Sequence, residues 1–172
     1  MQNNNEIVKA AEVYRMNPRK GFDLLYAALA DRISTYLRRA FTIGADEIAD
    51  VLHDSFLPWV EHPEKMKSVA NPRAYLFSTA KYLAIRKKRE QVHSTLEDDT
   101  HTGFSEHQTE KLDASMDMEK AMSQLSEEQR EVVALKIWGD LTFDEIAEIQ
   151  EVSLNTAASR YRYALQKLKE VL

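Results

Sequence analysis

The stretch Leu141–Lys169, LTFDEIAEIQEVSLNTAASRYRYALQKLK, holds two helix-like patterns separated by only EVS. Thr142 and Glu145 form a capping box for the first. The hydroxyl accepts from the backbone N–H three residues on, and the carboxylate reaches back to the N–H of the cap. The second helix is expected to begin near Ser153 or Asn155 and run to Leu172. Its core face is Ala157, Tyr161, Leu165, Leu168 and Leu172, and its other faces carry Asn155, Thr156, Ser159, Arg160, Arg162 and Lys167. Small Ala147 lets the two helices cross closely. Just upstream, Ser126 and Gln129 make a second capping box for SEEQREVVALKIW, with Gly139 at its C-terminal end. Two helices with a tight turn and a polar, cationic second member form a helix-turn-helix pattern. In that motif the second helix lies in the major groove, where Asn, Thr, Ser and Arg suit base edges and phosphates. The plain alternative is a helical hairpin with a solvated basic end.

Charge is segregated along the chain. The 172 residues sum to a net charge of −5, with 44% hydrophobic and 30% charged residues. Acidic residues concentrate between Ser94 and Glu119, at Glu97, Asp98, Asp99, Glu106, Glu110, Asp113, Asp117 and Glu119. Basic RKKR at Arg86–Arg89 stands before this stretch, and Arg160, Arg162, Lys167 and Lys169 lie after it. The acidic middle has little periodicity and reads as a linker. Few glycines and prolines argue against a sandwich or barrel, which needs many turns. The absence of cysteine excludes disulfides, thiol catalysis and Cys-ligated zinc. No stretch approaches the ~18 apolar residues of a membrane span, and the first residues lack a signal-peptide core. A soluble, cytoplasmic protein with no membrane insertion is the expectation.

The N-terminal part reads as helices throughout. A short one is expected at about Asn5–Met16. A second, about Lys20–Phe41, buries Phe22, Leu25, Leu29, Ile33, Leu37 and Phe41, with Gly44 placed to end it. A third starts near Asp46, carries Ile48, Val51, Leu52, Phe56, Trp59 and Val60 on one side, and stops at Pro63. Asn71 caps a fourth, with Pro72 at its first position. Leu76, Phe77, Ala80, Leu83 and Ala84 form its core face. Tyr75, Thr79, Tyr82, Arg86 and Arg89 run along another face, bordered by Lys81 and Lys88. Rings interleaved with cations suit single-stranded nucleic acid, because bases stack on rings while cations hold phosphates. A solvated basic helix with half-buried tyrosines is the competing reading.

Both halves resemble the extracytoplasmic-function (ECF) sigma factors of bacterial RNA polymerase. LSEEQREVVALKIWGDLTFDEIAEIQEVSLNTAASRYRYALQKLK resembles that family's fourth conserved region, and ADEIADVLHDSFLPWVEHPEKMKSVANPRAYLFSTAKYLAIRKKR its second. The match runs from about Gly21 to Leu172. The resemblance implies an all-α chain of two small domains. These are a four-helix region-2-like domain at 1–92, an acidic linker at 93–112, and a region-4-like helix-turn-helix domain at 113–172. It implies an alternative sigma factor that binds core RNA polymerase, recognises promoter −35 and −10 elements and helps melt the latter. The implied partners are the clamp helices of the largest polymerase subunit, promoter DNA and an anti-sigma factor. No catalysis, cofactor or metal is implied.

By position, the resemblance assigns Asp46, Glu47, Asp50, Val51, Asp54, Ser55 and Phe56 to polymerase binding. Asn71, Arg73, Tyr75, Lys81, Tyr82, Arg86 and Lys87 fall on the −10 segment. Ser153, Asn155, Thr156, Ser159, Arg160 and Arg162 fall on the −35 helix, with Arg160 in the family's Ser-Arg pair. Glu151 departs from the family, which favours Gly in the turn because φ > 0 is needed there. Either Glu151 accepts that geometry at about 1 kcal/mol or the turn takes another form.

Two other classes are weighed. A stand-alone helix-turn-helix regulator would need a dimer seam or sensor domain, and no sustained heptad or ligand-binding pattern is evident. An enzyme would need more than the scattered His53, His62, His93, His101 and His107, which no nucleophile or Gly-rich phosphate loop accompanies.

Overall fold

The computed structural model describes residues 2–97 and 112–171, with side chains from 5–92 and 118–171. Every described element is a helix: α1 Gln2–Met16, α2 Pro18–Ala40, α3 Ala45–Glu61, α4 Pro63–Met66, α5 Pro72–Glu97, α6 Leu112–Ser123, α7 Glu127–Ile137, α8 Phe143–Gln150 and α9 Leu154–Val171. The chain is all-α, as the periodicity predicts. The expected linker at 93–112 lies mostly outside the described residues, and α5 reaches into it as far as Glu97.

Local signals explain most boundaries. Asn17 accepts from the Lys20 N–H at 3.1 Å and Pro18 occupies the first position of α2. This is the same Asn-Pro start signal that opens α5, where Asn71 accepts from the Ala74 N–H. Gly44 does not end α2, which closes at Phe41; it is the N-cap of α3, and its N–H donates to Glu47 at 2.6 Å. Helix α3 stops at Glu61, just before Pro63, which in turn opens the single turn of α4. Helix α6 is an element the charge pattern concealed.

Core packing follows the predicted stripes closely. Leu25, Leu29, Ile33 and Leu37 on α2, Ile48, Val51, Phe56 and Trp59 on α3, and Leu76, Phe77, Ala80, Leu83 and Ala84 on α5 are all buried. Val60 is exposed. On α9 the buried face is Ala157, Ala164 and Leu168, turned slightly from expectation, so Leu165 is partly exposed. Gly21 lets α1 cross α2: a Cβ there would lie 2.2 Å from the Tyr14 Cα.

One apolar cluster runs from Ile7 through Leu168, so the two helical units are docked together. The turn between α7 and α8 is the knob of that contact. A Cβ on Gly139 would meet the Leu135 carbonyl at 2.5 Å and Phe77 at 3.2 Å, so glycine permits the close approach. Asp140 takes the left-handed conformation, φ 55°, and Leu141 beside it is fully buried. The Arg39 guanidinium lies 5.3 Å from the Trp138 ring centre across the junction.

Candidate nucleic-acid interface

The helix-turn-helix is built as its caps predict. Thr142 accepts from the Glu145 N–H at 3.3 Å, and Glu145 accepts from the Thr142 N–H at 2.8 Å. Helix α8 ends with Glu151 at φ 54°, ψ 45°. The Glu151 N–H bonds the Glu148 carbonyl and the Val152 N–H bonds the Ala147 carbonyl, which together form a Schellman end. Glu151 therefore accepts the left-handed geometry that glycine would take more cheaply. Ser153 then caps α9, accepting from the Thr156 N–H at 3.1 Å. Buried Ala147 and Ala157 let the helices meet, and Phe143 packs edge-on to Tyr161 at 5.5 Å.

This arrangement leaves the start of α9 open. Ser153, Asn155, Thr156 and Arg162 are exposed, and Ser159 and Arg160 are half-buried. Arg160 donates to Gln150 at 3.1 Å, while Arg162 lies 5.2 Å from the Tyr163 ring. Leu154 and Tyr163 are also exposed on this helix. Neither was singled out from the sequence; their helical offset from Asn155 and Arg162 was the available signal.

The predicted −10 set separates into three groups. Tyr82 is 65% exposed, and Arg86 is exposed beside Glu90. Tyr75 is half-buried against Trp59, ring centres 6.0 Å apart, and Lys87 pairs with Asp50 at 3.0 Å. The hydrogen bond to Asp50 holds the Lys87 amine above its ordinary value, against some loss of hydration. Asn71, Arg73 and Lys81 instead turn to the C-terminal unit. Arg73 is buried, with Nη2 2.9 and 2.7 Å from the two Glu145 oxygens and Nε 3.1 Å from one of them. Its Nη1 donates to the Asp140 carbonyl, and Asn71 donates to Glu145 at 2.9 Å. Burial opposes the charge on Glu145, but donors from Asn71, the Thr142 backbone and Arg73 outweigh it and hold its carboxyl below the usual range.

A second polar group lies nearby. Lys81 donates to Glu131 at 3.1 Å and to the Ile149 carbonyl, and Tyr36 donates to Glu131 at 3.1 Å. Gln150 donates to Glu131 at 2.9 Å and accepts from Arg160. Burial, reinforced by Glu131, pushes the Tyr36 hydroxyl well above its ordinary value. Tyr36, Glu131, Gln150 and Glu145 were assigned no such role from the sequence, because only tertiary packing brings them together.

On α3, Asp46 and Asp50 are exposed and Glu47 and Asp54 half-buried. Val51, Ser55 and Phe56 are buried. They pack into the core and hold α3 in place in this arrangement. Among the described residues no cluster of His, Asp and Glu could hold a metal ion. No described helix is long and apolar enough to cross a membrane.

The fold is a two-unit helical one whose C-terminal unit carries a helix-turn-helix with an exposed, polar second helix. Residues 115–168 match the family model "Sigma-70, region 4". The ECF RNA polymerase sigma factor SigL of Mycobacterium tuberculosis is 28% identical over 157 residues, covering 86% of this chain and 89% of that one. RNA polymerase sigma factor SigV of Bacillus subtilis is 23% identical over 148 residues, covering 85% and 89%. Among solved structures, the sigma factor RpoE in complex with the anti-sigma factor NepR from Bartonella quintana superposes with a TM-score of 0.71 at 20% identity, covering 88% of this chain and 96% of that one. CnrH in complex with the cytosolic domain of CnrY gives 0.57 at 20% identity, covering 96% of each. Over most of its length the chain is similar to ECF sigma factors, and its C-terminal unit matches sigma-70 region 4. It is an alternative sigma factor that directs promoter-specific transcription by RNA polymerase, and it is not an enzyme.

Proposed function

We infer that α9 reads the −35 element, with Ser153, Asn155, Thr156, Ser159, Arg160 and Arg162 facing the groove. The −10 element and its melting fall to the N-terminal unit, through Tyr82 and Arg86 first and Asn71, Arg73 and Lys81 once they are released. Polymerase is met by the acidic face of α3, at Asp46, Glu47, Asp50 and Asp54. Units 1–92 and 113–172 act as separate readers joined by 93–112. An anti-sigma protein controls the factor, as the partners of the RpoE and CnrH structures suggest, and the factor works in the cytoplasm. The observation that carries this reading is the exposed polar start of α9 behind a doubly capped helix-turn-helix.

Run-off transcription with bare core polymerase on a library of promoter fragments tests it. Specific starts that depend on this chain are expected, and their absence would overturn the reading. Asp50→Lys with Asp54→Lys is expected to abolish co-purification with core polymerase while the helical content stays unchanged. Retained binding would remove α3 from the polymerase contact.

A further inference from the structure

The first turn of α9 presents one large side chain that cannot make a hydrogen bond. Leu154 occupies the first position of the helix, directly after the Ser153 cap, and is 44% exposed. Its neighbours are polar. The Ser153 and Thr156 hydroxyls bond each other at 2.8 Å, and Asn155 is exposed. Ala157 is fully buried and fixes which side of the helix faces the body of the protein. Ala158, one turn after Leu154, adds only a methyl group to the same side. By helical spacing Leu154 and Ala158 form an apolar step on the flank between the buried face and Asn155. Tyr163 and Leu165 are also exposed on α9, but they stand more than two turns further along, about 13 Å or more from Leu154.

A lone exposed leucine is ordinary on a protein surface. The place of this one is not, because the first residues of the second helix in this motif meet base edges. In the major groove only thymine shows an apolar group, its C5-methyl. Against a guanine or cytosine edge, Leu154 would cover a donor or acceptor without replacing its hydrogen bond to water, which is unfavourable. Against thymine it would take a methyl group out of water, which is favourable.

We propose that Leu154 is a specificity residue of the reader, selecting thymine at one position of the −35 element by covering its C5-methyl group. This rests on the assignment of α9 to that element.

The test uses the full chain bound to core polymerase. A promoter library randomised over its upstream window is transcribed, and the preferred duplex is recovered. Each thymine of that window, on either strand, is then replaced singly by deoxyuridine, which pairs identically and lacks only the methyl group. One replacement is expected to weaken binding about fourfold, the effect of withdrawing one buried methyl-sized group. Leu154→Ala should bind the thymine duplex less tightly by a similar factor, and should not distinguish thymine from deoxyuridine at that position. Leu154→Met, which keeps the apolar reach, should still distinguish them. If Leu154→Ala loses the same factor on both duplexes, so that methyl sensitivity survives, another residue reads the methyl group and the proposal is overturned. It is equally overturned if no thymine is methyl-sensitive or if the preferred window holds no thymine.

Asn155→Ala and Arg162→Ala separate this failure from failure of the −35 reading. If they weaken binding while the thymine and deoxyuridine duplexes are equal, α9 reads the element and Leu154 alone is misassigned. If they change nothing, or if no window is preferred, the −35 assignment falls together with the proposal.

Discussion

The start of α9 and the body of α5 carry the same kinds of side chain, and the fold treats them oppositely. At α9, Ser153 and Thr156 use one another and the backbone, and Asn155 beside them is exposed. On α5, Arg73 and Lys81 are bound by buried carboxylates from the other unit. Composition alone did not separate these cases. What separates them is the surroundings: the start of α9 is exposed, while α5 faces an acidic surface on α7, α8 and their connecting turn. Exposed polar groups wait for an external partner, and paired ones must first be released.

The largest effect that would break this contrast comes from Arg73. Arg73→Ala leaves Glu145 enclosed without its cation, and losing one partner of a buried pair costs about 3–5 kcal/mol. Lys88→Ala removes an exposed pair and should change stability by no more than about 1 kcal/mol. Urea unfolding of both variants measures the ratio, and equal effects would mean that the Arg73 pair is not enclosed in solution. Acid reads the same pair. Because the folded-state carboxyl of Glu145 is held below its unfolded value, its contribution is fully present above the ordinary carboxylate pKa of about 4.3 and is lost as pH falls below it. The unfolding midpoint should therefore decline more steeply between about pH 5 and pH 3 than it does in Glu145→Gln. Parallel profiles would remove Glu145 from that linkage.

What was legible depended on whether the signal was local. The α8–α9 motif was, because capping boxes and turn chemistry lie within a few residues of each other. The core face of α5 was readable in full for the same reason. The start of α2 was equally local, in Asn17-Pro18, and matches the signal recognised at Asn71-Pro72. The docking of the two units was not readable. Tyr36 bonds Glu131 across 95 positions and Arg73 bonds Glu145 across 72, and no periodicity connects such residues. The cations were identified as partners for phosphate, which is what their chemistry offers. Only the fold shows that carboxylates hold them first.

A smaller effect sharpens the α9 side. Arg160 is half-buried and bonded to Gln150, so it is positioned before DNA arrives. If it also holds a phosphate, Arg160→Ala should weaken promoter duplex binding across sequences. The slope of log affinity against log salt should then fall by about 1. A variant that loses affinity only for some sequences would make Arg160 a base reader; one with unchanged affinity and slope would leave it a structural partner of Gln150.

The smallest expected change tests the turn between the two helices of the reader. Glu151 sits at φ 54° in a Schellman end whose two backbone bonds are both made. A left-handed residue with a Cβ costs about 1–2 kcal/mol, while glycine loses roughly 0.5–1 kcal/mol more entropy on ordering. The difference favours Glu151→Gly by at most about 1.5 kcal/mol, seen as a higher denaturation midpoint with unchanged steepness. Glu151→Ala, which keeps the Cβ, should give no such gain. If alanine stabilises as much as glycine, the strain is not in the backbone, and removal of the carboxylate from beside the DNA-reading helix becomes the cause.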